Sequence, residues 1–323
     1  MNYTIKDILT ITGATLINGS SDVVCENFSK DTRSLNKGDV YVGIKGENYD
    51  GGTFYEEALS KGASALIINN TVDIDITKCG TTPVITTPDT IRLLQTLAKD
   101  KRTHYNIPVV AITGSVGKTS TKDIIASVLS TKYKVLKPEG SYNNEIGLPL
   151  TILKLKDHNC LVVEMGMNSF GEISLLSDIA KPTIGVITNI GTAHIGLLGS
   201  RENILKAKLE IIEGLSGPLI INNDNDLLHT YKDYPSIIRI GIENPSDYVA
   251  TNIKEEPFSS TFNVGITEYT VPVGGLPFIY NSLFAIAIAD LLDVKDVVEG
   301  LKHFKLSNSR LEKIETKKDF TLI

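Results

Sequence analysis

Apolar positions along the chain follow two rhythms. Short runs rich in Val and Ile have no 3.6-residue period: 63–68, 107–113, N-C-L-V-V-E-M at 159–165, T-I-G-V-I-T at 183–188 and P-L-I-I-N at 218–222. Such runs read as strands buried on both faces, the pattern of a parallel sheet. Between them lie helical stretches, foremost T-S-T-K-D-I-I-A-S-V-L-S-T at 119–131, and two more helices are predicted at 277–292 and 294–304. The segment 248–273 reads as short antiparallel strands. Ahead of this alternation, the first ~80 residues form a small α/β unit: a strand at 39–44, a helix F-Y-E-E-A-L-S-K-G, and the strand at 63–68. Thr53, with Glu56 three residues on, predicts a capping box for that helix, and Gly62 its stop. T-T-P-V-I-T-T-P at 81–88 reads as a linker, after which Asp89 caps a connecting helix.

The length of 323 residues fits about two domains. The longest apolar run, Leu283 to Ala289, ends at Asp290, far short of the ~20 residues that cross a bilayer. The start M-N-Y-T-I-K-D-I has no basic, then apolar, signal pattern, so a cytoplasmic location is expected. With 32 Lys and Arg against 38 Asp and Glu, the net charge of −6 gives no general field for nucleic acid, and any phosphate site must be local. Cys25, Cys79 and Cys160 form no C-x-x-C pair and read as small buried hydrophobes.

T-G-S-V-G-K-T-S-T, Thr113 to Thr121, follows a strand and opens a helix. Gly114, Ser115, Val116 and Gly117 allow backbone N–H groups to turn toward an anion, Lys118 can reach terminal phosphates, and Thr119, followed by Ser120, can ligate Mg²⁺. The common G-x-x-x-x-G-K-[ST] pattern needs a glycine where Ile112 stands, so this loop is shorter. On residue type alone, Glu164 at a strand end and His194 on a loop are each more often structural than functional, and Lys208 reads as an ordinary solvated helix lysine.

The loop resembles the ATP loop of the Mur ligases, which join amino acids to the peptidoglycan precursor. Five further segments fit in order: D-T-R-S-L-N-K-G-D-V-Y-V-G-I-K-G-E-N-Y-D-G at 31–51, S-Y-N-N-E-I-G-L-P-L-T at 141–151, E-M-G-M-N-S-F-G-E-I at 164–173, T-N-I-G-T-A-H-I-G-L-L-G-S at 188–200 and K-A-K-L-E-I at 206–211. E-M-G-M-N stands where the branch adding the third amino acid has E-V-S-S-H, so the resemblance favours the branch adding D-alanyl-D-alanine to UDP-MurNAc-tripeptide; the third-residue ligase is the alternative. It implies an α/β chain: a small UDP-substrate domain at 1–103, a P-loop, doubly wound, mostly parallel sheet domain at 104–305, and at 306–323 the start of a Rossmann-like C-terminal domain that is absent. Such a truncated chain is expected to bind nucleotide without completing ligation. The resemblance also implies ATP and Mg²⁺, with Thr119, Glu164, His194 and a carbamylated Lys208 as metal partners and Lys118, Lys208, His194 and Glu164 as the catalytic set. Asn281 and Arg310 would contact the nucleotide, and Asp31, Thr32, Arg33, Lys45, Gly46, Asn143 and Asn144 the UDP substrate. A monomer is expected. Pro277, Ser141, Thr192, Gly196 and Gly52 depart from the family's usual residues. Readings of another class are a P-loop ATPase or kinase, or a non-catalytic nucleotide-binding fragment.

Overall fold

The computed structural model describes residues 2–46, 49–140 and 142–305, together with the backbone of two short strands, Ile314–Glu315 and Thr321–Leu322. Backbone contacts divide the chain into two units, Met1–Asn106 with Glu145–Lys156, and Ile107–Asn144 with Asp157–Ile323. The excursion at 145–156 is not foreshadowed by a single boundary near residue 103.

In the first unit, α1 (Ile5–Thr12) precedes β1 (Thr15–Asn18), β2 (Phe28–Ser29), β3 (Val40–Val42), α2 (Tyr55–Ser60), β4 (Ala65–Asn69), β5 (Val84–Thr87) and α3 (Thr90–Thr103). The sheet runs β1-β5-β4-β3-β2 and is parallel except where β1 joins. Tyr41, Leu66, Ile68, Val84 and Ala58 form its core. Asp89 caps α3 by accepting from the Arg92 N–H at 2.9 Å.

Two local expectations fail here. The stretch 81–88 is no linker, because Pro83 and Pro88 stand just outside a fully paired strand whose Val84 and Ile85 are buried. Prolines are tolerated at strand ends, where no ladder donor is lost. Nor does Thr53 cap α2. Asp50, three residues earlier, accepts from Gly52 N–H at 2.9 Å and caps a 3-10 turn at Gly51–Phe54, leaving the Thr53 hydroxyl to donate to Asp50 O at 2.8 Å. Glu56 instead pairs with Lys78 at 2.7 Å. A carboxylate turning its own loop outcompetes the hydroxyl for the first free N–H groups.

In the second unit, β6 (Val109–Thr113) is followed by α4 (Lys118–Leu129), β7 (Val135–Leu136), β8 (Cys160–Glu164), α5 (Glu172–Ala180), β9 (Ile184–Ile187), α6 (Ile195–Leu198), α7 (Arg201–Leu209), β10 (Leu219–Asn222), β11 (Ile237–Gly241), β12 (Tyr248–Glu256), β13 (Ser259–Val264), β14 (Thr267–Val271) and α8 (Leu276–Leu291). The nine-stranded sheet runs β14-β13-β12-β11-β10-β9-β6-β8-β7. β6 to β12 pair in parallel, and the last two strands extend the sheet antiparallel. The apolar run that is too short for a membrane lies in α8, which is apolar all round because it is buried against α4 and the sheet. No helix among the described residues is long and apolar enough to cross a membrane. All three cysteines are buried thiols, and burial pushes Cys25 and Cys160 up to about 12.

The chain leaves β6 toward the β8–β7 edge and leaves β9 toward β10. The loops after these two adjacent strands therefore diverge, opening the crevice where doubly wound sheets bind ligands.

Candidate functional site

The loop after β6 is braced along its length and leaves the N–H groups at its end, where α4 starts, uncapped. Gly114 sits at φ +150°, and a Cβ there would lie 1.9 Å from the Thr188 hydroxyl, so only glycine fits. Gly117, at φ +84°, precedes α4 without any side-chain cap, so the first amides of a 12-residue helix face outward unsatisfied. The segment after β9 buttresses the loop. Ser115 N–H donates to Asn189 O at 3.0 Å, Val116 N–H to Asn189 Oδ1 at 3.1 Å, and the Thr188 hydroxyl to Val116 O at 2.7 Å. Gly191 N–H in turn donates to Ser115 Oγ at 2.9 Å. Asn189, which sequence reasoning did not single out although the T-N-I-G motif held it, braces the loop. Ser120 is half-buried on the first turn of α4.

The charges beneath the loop are almost dry. Glu164 ends β8 with no exposed surface; it accepts from the Thr119 hydroxyl at 3.0 Å and from Asn143 Nδ2 at 3.3 Å. Burial raises its pKa, opposed by Lys122, the Thr119 hydrogen bond and Lys118. Lys118 folds back to donate to Gly114 O at 2.8 Å, and burial lowers its pKa against the pull of Glu164. Lys208, on α7, is 1% exposed and makes no hydrogen bond or ion pair among the described residues. Burial, reinforced by Lys118, brings it down to about 7. The solvated-lysine reading of Lys208 thus fails, because α7 turns this position inward beside Ile204 and Ala207.

Lys122 is the second residue missed: fully buried one turn after Lys118, it donates to Pro138 O at 3.1 Å and Gly140 O at 3.2 Å. Its i,i+4 spacing from Lys118 was the available signal. Lys118 and Lys122 thus both act on the Glu164 carboxylate, while the other carboxylate here, Asp123, is already paired by Lys137 at 2.5 Å. That balance suits a polyphosphate.

Asn281, buried on α8, accepts from the Thr121 hydroxyl at 2.8 Å, which places it beside the first turn of α4. His194 holds a left-handed backbone at φ +67° ahead of α6, and among the described residues its side chain makes no contact with Glu164, Thr119 or Lys208. Nor do the described residues contain a cluster of three His, Cys, Asp or Glu fit for a metal. The structure thus joins Thr119, Glu164 and Asn143, but not His194 or Lys208, into one bonded set. Asn144 is exposed beside Asn143. Arg310 lies outside the described residues.

In the first unit, Asp31, Thr32 and Arg33 line a cavity of about 380 Å³ with Lys30, Tyr41, Gly51 and Phe54. Asp31 caps the turn Thr32–Ser34 and pairs with the exposed Arg33 at 2.7 Å, which holds its carboxyl down to about 2. Lys61 fastens the turn by donating to Thr32 O at 2.6 Å. Lys45 and Gly46 lie on the exposed bend after β3 and do not line this cavity.

A model of the Mur ligase middle domain matches residues 112–289. The UDP-N-acetylmuramoyl-tripeptide–D-alanyl-D-alanine ligase of Bacillus subtilis is 37% identical over 329 aligned positions that cover 99% of this chain and 71% of that protein. The Escherichia coli enzyme of the same name is 32% identical over 93% of this chain and 69% of its own. Among solved structures, MurF from Acinetobacter baumannii superposes with a TM-score of 0.85 at 29% identity, covering 98% of this chain and 71% of that one. MurF from Thermotoga maritima in complex with ADP does so at 0.77 and 29%, covering 90% and 69%. Because these similarities run through both units and through the loop at Gly114–Lys118, the chain belongs to the Mur ligase family.

Proposed function

We propose that the protein performs the reaction named for its relatives: ATP-dependent formation of an amide between the terminal carboxyl of UDP-MurNAc-tripeptide and the amine of D-alanyl-D-alanine, in the cytoplasm. The observation that carries this reading is the uncapped start of α4, set over a dry pair of Thr119 and Glu164. A carboxylate oxygen of the acceptor attacks the γ-phosphorus and ADP leaves. The dipeptide amine then attacks the acyl carbon, and phosphate departs with one former carboxylate oxygen. Within this reading the uncapped amides at the start of α4 and the Lys118 ammonium bind and neutralise the transferred phosphate, work that is mostly positioning and electrostatics.

Mg²⁺ fits the donor set, because a buried carboxylate held by a hydroxyl and an amide has no cation of its own in contact. Thr119 and Glu164 would hold it, joined by His194 and Lys208, and it would neutralise phosphate charge. Lys208 fits a carbamate role because a buried amine brought down to about 7 is largely neutral in mildly alkaline buffer and can add CO₂, releasing one proton. The cavity at Asp31–Arg33 would take part of the UDP substrate, and Asn281 with Arg310 would contact the nucleotide base or ribose. The test is sustained, multiple-turnover ADP release by the intact enzyme: it should require both UDP-MurNAc-tripeptide and D-alanyl-D-alanine. Release with any hydroxyl acceptor, or with none, would indicate a kinase or an ATPase instead.

A further inference from the structure

We propose that Lys122 is a positioning residue that ties Pro138 and Gly140 to α4, and so sets Asn143, three residues on, against Glu164. Contacts at both ends carry this. Lys122 is 1% exposed, and its ammonium donates to two carbonyls of that loop, Pro138 O at 3.1 Å and Gly140 O at 3.2 Å. Its nearest carboxylate, Asp123, is 3.6 Å away and is held more closely by Lys137 at 2.5 Å. Three residues past Gly140, Asn143 donates to Glu164 Oε1 at 3.3 Å and accepts from Gly166 N–H at 2.8 Å through its backbone carbonyl. A Cβ on Gly166 would lie 3.0 Å from Asn143 Oδ1, so the Asn143 side chain packs directly over this glycine.

Burying an ammonium on carbonyl acceptors is costly, and a methionine would fill the same space without that cost. The ammonium also acts at a distance on the Glu164 carboxylate, but what its donors hold directly is Pro138 and Gly140. One helix thereby divides its labour: Lys118 and Thr119 face the phosphate site, while Lys122, one turn on, fixes the acceptor-side loop. This inference rests on the proposed function only in naming Asn143 as an acceptor-side residue.

The first test is hydrogen exchange on Lys122→Met, which keeps the volume and removes the donors. The Gly166 amide should exchange about tenfold faster or more, since charged hydrogen bonds are lost, while amides of Val110 and Val162 keep their protection. Unchanged protection at Gly166, or an equal loss at all three amides, overturns the proposal. If the methionine variant does not fold, Lys122→Gln, too short to span both carbonyls, should still speed Gly166 about threefold or more. No acceleration in that variant overturns the proposal equally.

The second test is kinetic. In the intact enzyme, kcat/KM for the acceptor should fall about tenfold or more while the calorimetric affinity for Mg·ATP stays within about twofold. Lys122→Met combined with Asn143→Ala should be no worse than the poorer single variant. Parallel losses of nucleotide and acceptor binding, or additive effects, overturn the proposal. Because the exchange assay needs no substrate, failure of the ligase reading would leave its result standing.

Discussion

Lys208 offers a prediction whose size follows from its burial. The amine falls from its ordinary 10.5 to about 7, a shift of roughly 3.5 units, or on the order of 4–5 kcal/mol between its charged and neutral forms. The sign is set by proton counts. Between pH 7 and 10.5 the unfolded chain holds a proton on this lysine and the folded one does not, so folding stability rises with pH across that window. The slope approaches about 1.4 kcal/mol per pH unit, and below pH 7 the full burden of the buried charge is present. Lys208→Met keeps the bulk and removes the charge, so it should be more stable than wild type at pH 6, and the gap should close as pH approaches 10. Urea denaturation at pH 6, 7, 8 and 9 in buffers freed of CO₂ would follow this. Adding bicarbonate at pH 8 should stabilise wild type but not the variant. Parallel curves for the two proteins over the whole range would refute the buried-amine argument.

Lys118→Ala should reduce turnover of the intact enzyme by about 10²- to 10³-fold, since it removes the ammonium proposed to bind the transferred phosphate; steady-state turnover within threefold of wild type would contradict that role. Gly114→Ala should lower the melting temperature and abolish nucleotide binding, because it adds backbone strain of about 1–3 kcal/mol to the clash with Thr188. Adding Thr188→Ala should relieve the clash alone and restore part of the melting temperature, read by calorimetry. Glu164→Gln should weaken Mg²⁺ binding in a titration while leaving the fold intact, because the amide can still accept from Thr119.

Much of the second unit was readable because its strands are apolar throughout and its phosphate loop joins a strand to a helix at short range. Asn281 was found through the resemblance, and its bond to Thr121 agrees with a place near that loop. What escaped had one physical cause: its meaning lies in tertiary contacts. Val84–Thr87 looked like a linker because its flanking prolines are visible in sequence while its ladder partners are not. Asp50 displaced Thr53 as a cap because both residues suit the same turn, and only the geometry chooses. Lys122 and Asn189 carry only weak signals, an i,i+4 spacing from Lys118 and a place in T-N-I-G, since a lysine on α4 and an asparagine after β9 look solvated until the loops they brace are in place. Lys208 shows the same limit: its sequence neighbours do not reveal that α7 turns it inward.

The central claim is that the acceptor's own carboxylate takes the phosphate before the amide forms. The most direct measurement is oxygen transfer: UDP-MurNAc-tripeptide labelled with ¹⁸O in its terminal carboxyl, incubated with the intact enzyme, ATP, Mg²⁺ and D-alanyl-D-alanine, and the released phosphate analysed by mass spectrometry. An acyl phosphate requires one labelled oxygen to appear in each phosphate released. Phosphate carrying only solvent oxygen, or label kept entirely in the peptide, would contradict the account.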